Sequence, residues 1–446
     1  MQAIKKSVMI VLKALVPVAA ASVFLETLWF FYSTLTHFYY NGYILLAVLY
    51  GVIFAVFLHM YGGTKIDTEK KRNLILACTI ALFITNAIIY VILSLIALRF
   101  FNPLALIASI FVQIAVCSLL YLILSASVRI IYPPLSCIAV TSGSDNDTLT
   151  IEKIRAKDSR HRIQAVVDVC DLENSTHVLD EYDTVLVGDV GTQMRNSLLN
   201  YCYKTGKEIL IIPSMHDILM NNSTQYIVDD KLLYIDKYMG FSTEDAFIKR
   251  FFDIVFSLLG IIISSPVMAA VAIAIRAYDK GPALFRQKRL TKDGKEFTIV
   301  KFRSMIQNAE KKGGTFLVLN DDDRITPVGK FIRATRLDEL PQLFNILKGD
   351  MSFVGPRPER PELYDIYCKV CPEFIFRLKV KAGLTGYAQV YGKYNTSAED
   401  KVKLDLLYIE QASVMQDLQL LLYTVKIIFV KDSTEGIKDV ERAAKK

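Results

Sequence analysis

The sequence predicts a multi-pass membrane protein of the α/β class. Four transmembrane helices form an N-terminal bundle, a βαβ domain follows, and a mostly helical C-terminal domain opens with a re-entrant membrane helix. Three observations predict this. Hydrophobic residues make up 52% of the 446, too many for an ordinary soluble chain. Four apolar stretches, each near the ~20 residues that cross a bilayer core as a helix, stand first. Short apolar runs then alternate with polar, helix-compatible stretches until one further long apolar segment arrives.

The four leading stretches are residues 10–34, 43–61, 74–98 and 103–127. Lys5, Lys6 and Lys13 precede or enter the first, and Lys65, Lys70, Lys71 and Arg72 lie between the second and third. The loops at 35–42 and 99–103 carry only Arg99. Basic loops stay in the cytoplasm, so the N-terminus and the sequence after Arg129 are expected on that side of the membrane. The first run lacks a convincing small-residue cleavage site, which favours a retained helix over a removed signal. The seven scattered cysteines imply no disulfide framework, and Cys368-x-x-Cys371 lacks the further ligands a zinc site needs.

Residues 136–240 read as the central domain. Runs at 137–141, 163–167, 184–188 and 208–213 are expected to be strands of a parallel sheet in a degenerate Rossmann-like module. A dinucleotide site would carry G-x-G-x-x-G after the first strand, but Ser142-Gly143-Ser144-Asp145-Asn146-Asp147 offers a single glycine. A structural or regulatory role is the expectation, with nucleotide binding as the alternative.

The fifth apolar segment, 251–275, has Lys249 and Arg250 before it and Arg276 and Lys280 after it. Basic residues on both flanks favour two cytoplasmic ends. Pro266 lacks an N–H in mid-run, and Ser264 and Ser265 can bond to freed carbonyls. A re-entrant helix over 248–278, kinked at Ser265-Pro266, reconciles these signals, and a fifth full crossing is the rival. It opens the C-terminal domain, 247–446, in which residues 404–430 have a nearly helical period and one wide apolar face suited to a core or a membrane surface.

The chemistry concentrates in 323–362. Asp338 and Glu339 are adjacent where a helix is expected to begin, with Pro341 in its first turn. Arg333 and Arg336 lie upstream, and Gly355-Pro356-Arg357-Pro358 makes a stiff turn that fixes one guanidinium. A helix N-terminus among arginines attracts phosphate and keeps a carboxylate ionised, hence nucleophilic. A second carboxylate beside it can hold Mg²⁺. The bland alternative for Asp338 is an ordinary N-cap. None of the five histidines lies in 247–446, so chemistry there runs without histidine. A second basic cluster (Arg286, Lys288, Arg289, Lys292, Lys295, Lys301 and Arg303) reads either as a solvated hairpin turning at 292–295 or as anion capture near the membrane. The formal charge of +7 suits anionic partners without choosing among them. The chain carries no recognised nucleic-acid fold, so nucleic acid is not an expected partner.

Residues 245–432 resemble the bacterial sugar transferases, the monotopic polyprenyl-phosphate phosphoglycosyl transferases. The likeness is carried by RLTKDGKEFTIVKFRSM (289–305), RLDELPQLFNILKGDMSFVGPRPERPE (336–362), KAGLTGYAQVYGKYNTS (381–397) and LDLLYIEQASVMQDLQLL (404–421), with Ser265-Pro266 in the re-entrant helix. Four leading helices and a Rossmann-like domain are similar to the large subfamily that starts capsule and exopolysaccharide assembly. The resemblance implies that 247–446 is catalytic and that Asp338 attacks the β-phosphate of a UDP-sugar. UMP would leave, and undecaprenyl phosphate would take the phosphosugar from the aspartate. It implies Mg²⁺ on Glu339 and phosphate contacts from Arg333 and Arg357; Lys301, Arg303 and Arg289 are further candidates for phosphate. Two features depart from the family: Ser413-Val414-Met415 replace an aromatic residue of the late helical segment, and Asp321, Asp322 and Asp323 form a run where relatives have one aspartate. Two other readings stay open, a glycosyltransferase with its metal on 321–323 and a non-catalytic membrane scaffold. A homodimer through the central domain is compatible with the residues, which do not demand it.

Overall fold

The computed structural model describes residues 2–32, 42–158, 160–172, 176–235, 240–307, 324–392 and 396–428. The chain divides into two compact units, Met1–Ser214 and Met215–Lys446.

The first unit opens with helices α1 (Gln2–Tyr32), α2 (Gly42–Met60), α3 (Lys71–Ile96) and α4 (Leu104–Ile131). Among the described residues these four, and one helix of the second unit, are long and apolar enough to cross a membrane. α1 and α3 each pack against both α2 and α4. Lipid gives no hydrophobic drive to pair such helices, so buried polar groups that must find partners set their register. Asn86 donates to the Tyr50 hydroxyl and to Gln113 Oε1, both at 3.0 Å, and Gln113 Nε2 donates to the Ala20 carbonyl at 3.2 Å. This chain has one member on each of the four helices.

The same unit holds a four-stranded parallel sheet of β1 (Leu135–Thr141), β2 (His161–Asp168), β3 (Thr184–Val187) and β4 (Glu208–Ile211), ordered β2-β1-β3-β4. These strands coincide with the four apolar runs. Helices α5 (Asp145–Lys157) and α6 (Thr192–Thr205) lie between them in sequence. Ser144 caps α5 by accepting from the Asp147 N–H. The buried Asp147 carboxylate accepts from the Asp189 N–H at 2.9 Å and lies against Gly188, where an added Cβ would come within 2.7 Å of it. An acidic side chain thus fills the ground between the β1 and β3 ends that a phosphate would take in a dinucleotide-binding fold.

The second unit begins earlier than the sequence pattern suggests. Helix α7 (Met215–Met220), placed by pattern in the central domain of 136–240, turns Met215, Ile218 and Leu219 into the core of the second unit. Strands β5 (Thr224–Val228) and β6 (Lys231–Ile235) pair as an antiparallel hairpin. Helix α8 (Thr243–Asp279) follows, started by Ser242, whose hydroxyl accepts from the Asp245 N–H, with Glu244 and Asp245 in its first turn. Pro266 leaves the Ile262 carbonyl without its helical donor, and the Ser265 hydroxyl supplies one at 2.9 Å, while Ser264 bonds to the Gly260 carbonyl.

The hairpin of β7 (Leu284–Leu290) and β8 (Glu296–Phe302) turns at 292–294, where Asp293 and Gly294 take positive φ. Helices α9 (Pro327–Ala334) and α10 (Gln342–Lys348) come next. β9 (Ser352–Val354) pairs in parallel with β10 (Gly383–Thr385), and between them lie α11 (Pro361–Val370) and a 3₁₀ segment, Pro372–Lys379. After the short α12 (Tyr387–Val390), the stretch expected as one helix over 404–430 is two, α13 (Ala398–Glu410) and α14 (Val414–Ile428). Ser413 makes the break, since its hydroxyl accepts from the Gln416 N–H and so starts a new helix.

α8 is seated on this unit along its length. At one end Arg250 caps α10 through the Ile346 and Leu347 carbonyls, both at 2.7 Å, and buried Asp253 accepts from Ser352 Oγ and the Phe353 N–H. Lys249 bonds to the Val354 carbonyl and to Asp417 of α14. Toward the other end Val271 and Ile275 are buried with Phe302 and Ile332. The opposite face, with Phe251, Leu259, Ile262, Ile263 and Ile273, is exposed and apolar. Polar partners near one end and a shared core near the other suit a helix that enters the bilayer and returns by the same face. Single cysteines replacing Phe247 and Tyr278 are therefore expected to react with a membrane-impermeant maleimide from the same side of sealed vesicles. Labelling from opposite sides would show a full crossing.

Candidate active site

Asp338 and Glu339 occupy a 3₁₀ turn, Leu337–Glu339, between α9 and α10. The helix expected to begin with Pro341 in its first turn begins one step later, with Pro341 in the cap position of α10. α9 is started by Thr326, whose hydroxyl accepts from the Gly329 N–H, and by Pro327 in its first turn. Arg336 takes φ 58°, ψ 16°, a left-handed conformation unfavourable for a side chain of this size. That residue turns the chain sharply between α9 and the dyad.

Three cations converge on the Glu339 carboxylate: Arg357 at 3.4 Å, Lys301 at 3.5 Å and Arg336 at 3.9 Å. Lys301 shares a face of β8 with buried Phe297 and Ile299, because alternate side chains of a strand point the same way. Burial pushes up the Glu339 carboxyl, but Arg357 and Lys301 outweigh it and hold the group below its ordinary range. Burial, and then Glu339 beside it, raises the Asp338 carboxyl, against Lys301, Arg333 and Arg336. The Lys301 ammonium is pushed down to about 8 by burial and by Arg357. The dyad is thus unequal. Glu339 is neutralised by cations, whereas Asp338 is left the more basic carboxylate.

Arg357 arrives on a segment whose main chain is gripped throughout. Lys249 and the Tyr408 hydroxyl donate to the Val354 carbonyl, and Gly355 N–H donates to Thr385 at 2.8 Å. Gly383 donates to Pro356 at 2.9 Å, Arg377 to Arg357 at 3.2 Å, Arg289 to Pro358 at 3.0 Å and Leu290 to Glu359 at 3.1 Å. Pro356 and Pro358 are buried, while the Arg357 side chain stands out with 45% exposure.

The structure therefore gathers Asp338, Glu339, Arg333, Arg357 and Lys301 in one place. Arg289 braces the backbone of the turn instead of meeting the dyad, and Arg303 is buried in a pair with Asp279 at the end of α8. The run Asp321–Asp323 lies outside the described residues. Sequence reasoning missed Arg377, Asp405, Lys249 as a bridge, and Asp417. The available signal was a charge inside an apolar run, as in FIFRL and LDLLYI. Among the described residues no group of three or more His, Cys, Asp or Glu is set to hold a metal ion.

The family of bacterial sugar transferases matches residues 244–431. The chain is 37% identical over 191 residues to an uncharacterized sugar transferase, EpsL, of Bacillus subtilis, a match covering 43% of this chain and 90% of that protein. The chain belongs to the bacterial sugar transferase family. It is 42% identical over 186 residues to a UDP-N-acetylgalactosamine-undecaprenyl-phosphate N-acetylgalactosaminephosphotransferase of Aeromonas hydrophila, covering 41% of this chain and 44% of the other. To the undecaprenyl-phosphate galactose phosphotransferase of Salmonella typhimurium it is 34% identical over 242 residues, covering 51% and 50%. These matches span about half the length of the two relatives. The sugar transferase match begins with α8 and ends near the close of α14, so it contains the dyad, the gripped turn and the apolar helix together.

An added Cβ on Gly355 would stand 2.3 Å from the Lys381 carbonyl oxygen and 3.0 Å from the Gly383 nitrogen, both main chain. Main-chain atoms move only if β9 and β10 part. Gly355→Ala is expected to destabilise the second unit by about 3 kcal/mol, read as a lowered melting temperature of the purified protein. An unchanged melting temperature would show that the grip is loose.

Proposed function

We propose that this chain transfers a sugar 1-phosphate from a UDP-sugar to undecaprenyl phosphate, releasing UMP, as the first membrane step in assembling a surface glycan such as an exopolysaccharide, capsule or O-antigen. The observation that carries this reading is the unequal dyad, a basic Asp338 beside a cation-neutralised Glu339 within a cluster of Arg357, Lys301, Arg333 and Arg336. The names of the Aeromonas and Salmonella relatives support the acceptor and the class of donor.

In the proposed reaction an Asp338 oxygen attacks the β-phosphorus of the UDP-sugar. The bond to the bridging oxygen breaks, its electron pair leaves with UMP, and the phosphosugar stays on the aspartate. An oxygen of undecaprenyl phosphate then attacks the same phosphorus and expels the Asp338 carboxylate, giving the lipid diphosphosugar. No general base is needed, because both nucleophiles are already anions. Arg357, Lys301 and Arg333 would meet the negative oxygens of the diphosphate.

The residues present fit Mg²⁺ that arrives with substrate. Two adjacent carboxylates are hard oxygen donors, and magnesium commonly takes one or two such groups plus substrate phosphates. Glu339 would hold it, and the ion would neutralise charge on the leaving group. The basic loops support a cytoplasmic catalytic unit, on the side where nucleotide sugars are found. Reaction at the surface leaves the polyprenyl tail in lipid, whereas drawing it into water costs about 0.8 kcal/mol per CH₂.

Purified protein with Mg²⁺, undecaprenyl phosphate and a panel of UDP-sugars is expected to release UMP. Asp338→Asn should lower the rate by about 10³-fold or more. Release of UDP would overturn the reading, as would full activity in Asp338→Asn. The pH profile of kcat/KM should have two limbs. Asp338 is inactive when protonated, and its raised pKa puts the acid limb above the ordinary aspartate range. Lys301 loses its charge as pH rises through about 8, so activity should fall there. Lys301→Arg is expected to move that alkaline limb upward and leave the acid limb in place.

A further inference from the structure

The guanidinium of Arg377 lies in the 3₁₀ segment between α11 and β10 and is 4% exposed. A charge so placed is costly unless paired and hydrogen-bonded. Its Nε donates to Asp405 of α13 at 2.7 Å, and Asp405 is fully buried. Its Nη1 is 4.0 Å from Glu359, and its plane lies 4.4 Å from the centre of the Phe374 ring. The remaining terminal nitrogen, Nη2, donates at 3.2 Å to the main-chain carbonyl of Arg357. Buried Asp405 and Phe374 and the half-buried Glu359 thus surround the fork, and the fourth contact falls on the residue whose own guanidinium meets Glu339.

Buried ion pairs seldom add net stability, and apolar replacement of both partners is often neutral. What this pair gives is a direction. The Arg357 backbone has no N–H neighbour in Pro358 to anchor it, so its carbonyl is held from the side by Arg377, while Arg289 holds the next carbonyl from β7. Lys401, whose ammonium burial pushes down, lies in the same charged group beside Glu359 and Arg377.

We propose that Arg377, oriented by Asp405, is a positioning residue that aims the Arg357 guanidinium at Glu339 and the diphosphate. Neither residue touches the reacting atoms. The kinetic part of this inference rests on the proposed transferase reaction, whereas the aiming of Arg357 does not.

Two readouts on the full-length protein in detergent test it. The first is a double-mutant cycle on UMP release with Arg377→Met, Arg357→Met and both together. Arg377→Met is expected to lower kcat/KM by roughly 10–100-fold, as loss of supporting residues commonly does. In the Arg357→Met background the same change should cost less than about threefold, because the residue it aims is gone. Arg377→Lys should recover part of the loss, since an ammonium can reach either Asp405 or the carbonyl. Effects that multiply across the cycle would overturn the proposal, and so would a folded Arg377→Met with wild-type kcat/KM. The second readout needs no turnover. Phenylglyoxal should modify Arg357 several-fold faster in Arg377→Met than in wild type, with the exposed Arg336 as internal reference, by peptide mass spectrometry. Equal rates at Arg357 would sink the proposal even if wild type releases no UMP, and that last result alone would count against the transferase reading. Should Arg377→Met fail to fold, Asp405→Asn takes its place in both experiments under the same criteria.

Discussion

The second unit depends on how tightly the main chain from Val354 to Glu359 is held. Five elements reach in to hold it: α8 through Lys249, β7 through Arg289 and Leu290, the 3₁₀ segment through Arg377, β10 through Gly383 and Thr385, and α13 through Tyr408. Backbone polar groups shut away from water need partners, and this segment meets that requirement with two prolines that donate nothing. The outcome is a rigid spur with one exposed charge at its tip. Remote side chains thereby fix the position of a guanidinium that lies 18 residues from its carboxylate partner in sequence.

That rigidity bears on the electrostatics. Lys301 comes from a strand, Arg336 from a strained turn and Arg357 from the spur, so the three cations around Glu339 belong to separate elements. A preorganised cluster needs little rearrangement when charge develops on a phosphate, which is the main way a protein stabilises such a reaction. It also explains why two adjacent carboxylates behave differently. Glu339 absorbs the cations, and Asp338 keeps the basicity that the proposed nucleophilic role needs. The same anchoring joins chemistry to membrane, because Lys249, Arg250 and Asp253 tie the apolar α8 to the spur and to α10.

Local features were legible in the sequence. The strands of the central sheet lie where short apolar runs lie, the leading helices match the long ones, and the hairpin turns at the Lys-Asp-Gly-Lys signal. Asp338, Glu339 and Arg357 could be singled out because carboxylates beside arginines and a Gly-Pro-Arg-Pro turn have chemical meaning on their own. Non-local pairings were not legible. Arg303 reads as a phosphate ligand until Asp279 is seen beside it, and Arg289 until its bond to the Pro358 carbonyl is seen. Arg377 and Asp405 each stand in an apolar run, which hints at burial but not that they pair across 28 residues. Periodicity reports which face of an element is apolar, but it cannot say which two elements will share a buried charge. Ser413 shows the opposite case, a local cap signal overlooked within a continuous apolar stripe.

The central claim is that Asp338 carries the phosphosugar between donor and acceptor. It is tested most directly by mixing the protein with a UDP-sugar that it turns over, omitting undecaprenyl phosphate, quenching rapidly and mapping the peptides by mass spectrometry. A mass increase of one sugar phosphate on Asp338, discharged when the polyprenyl phosphate is added, is the predicted result. An adduct on another residue would contradict the account, and so would an enzyme that turns over when the acceptor is present but carries no adduct when quenched without it.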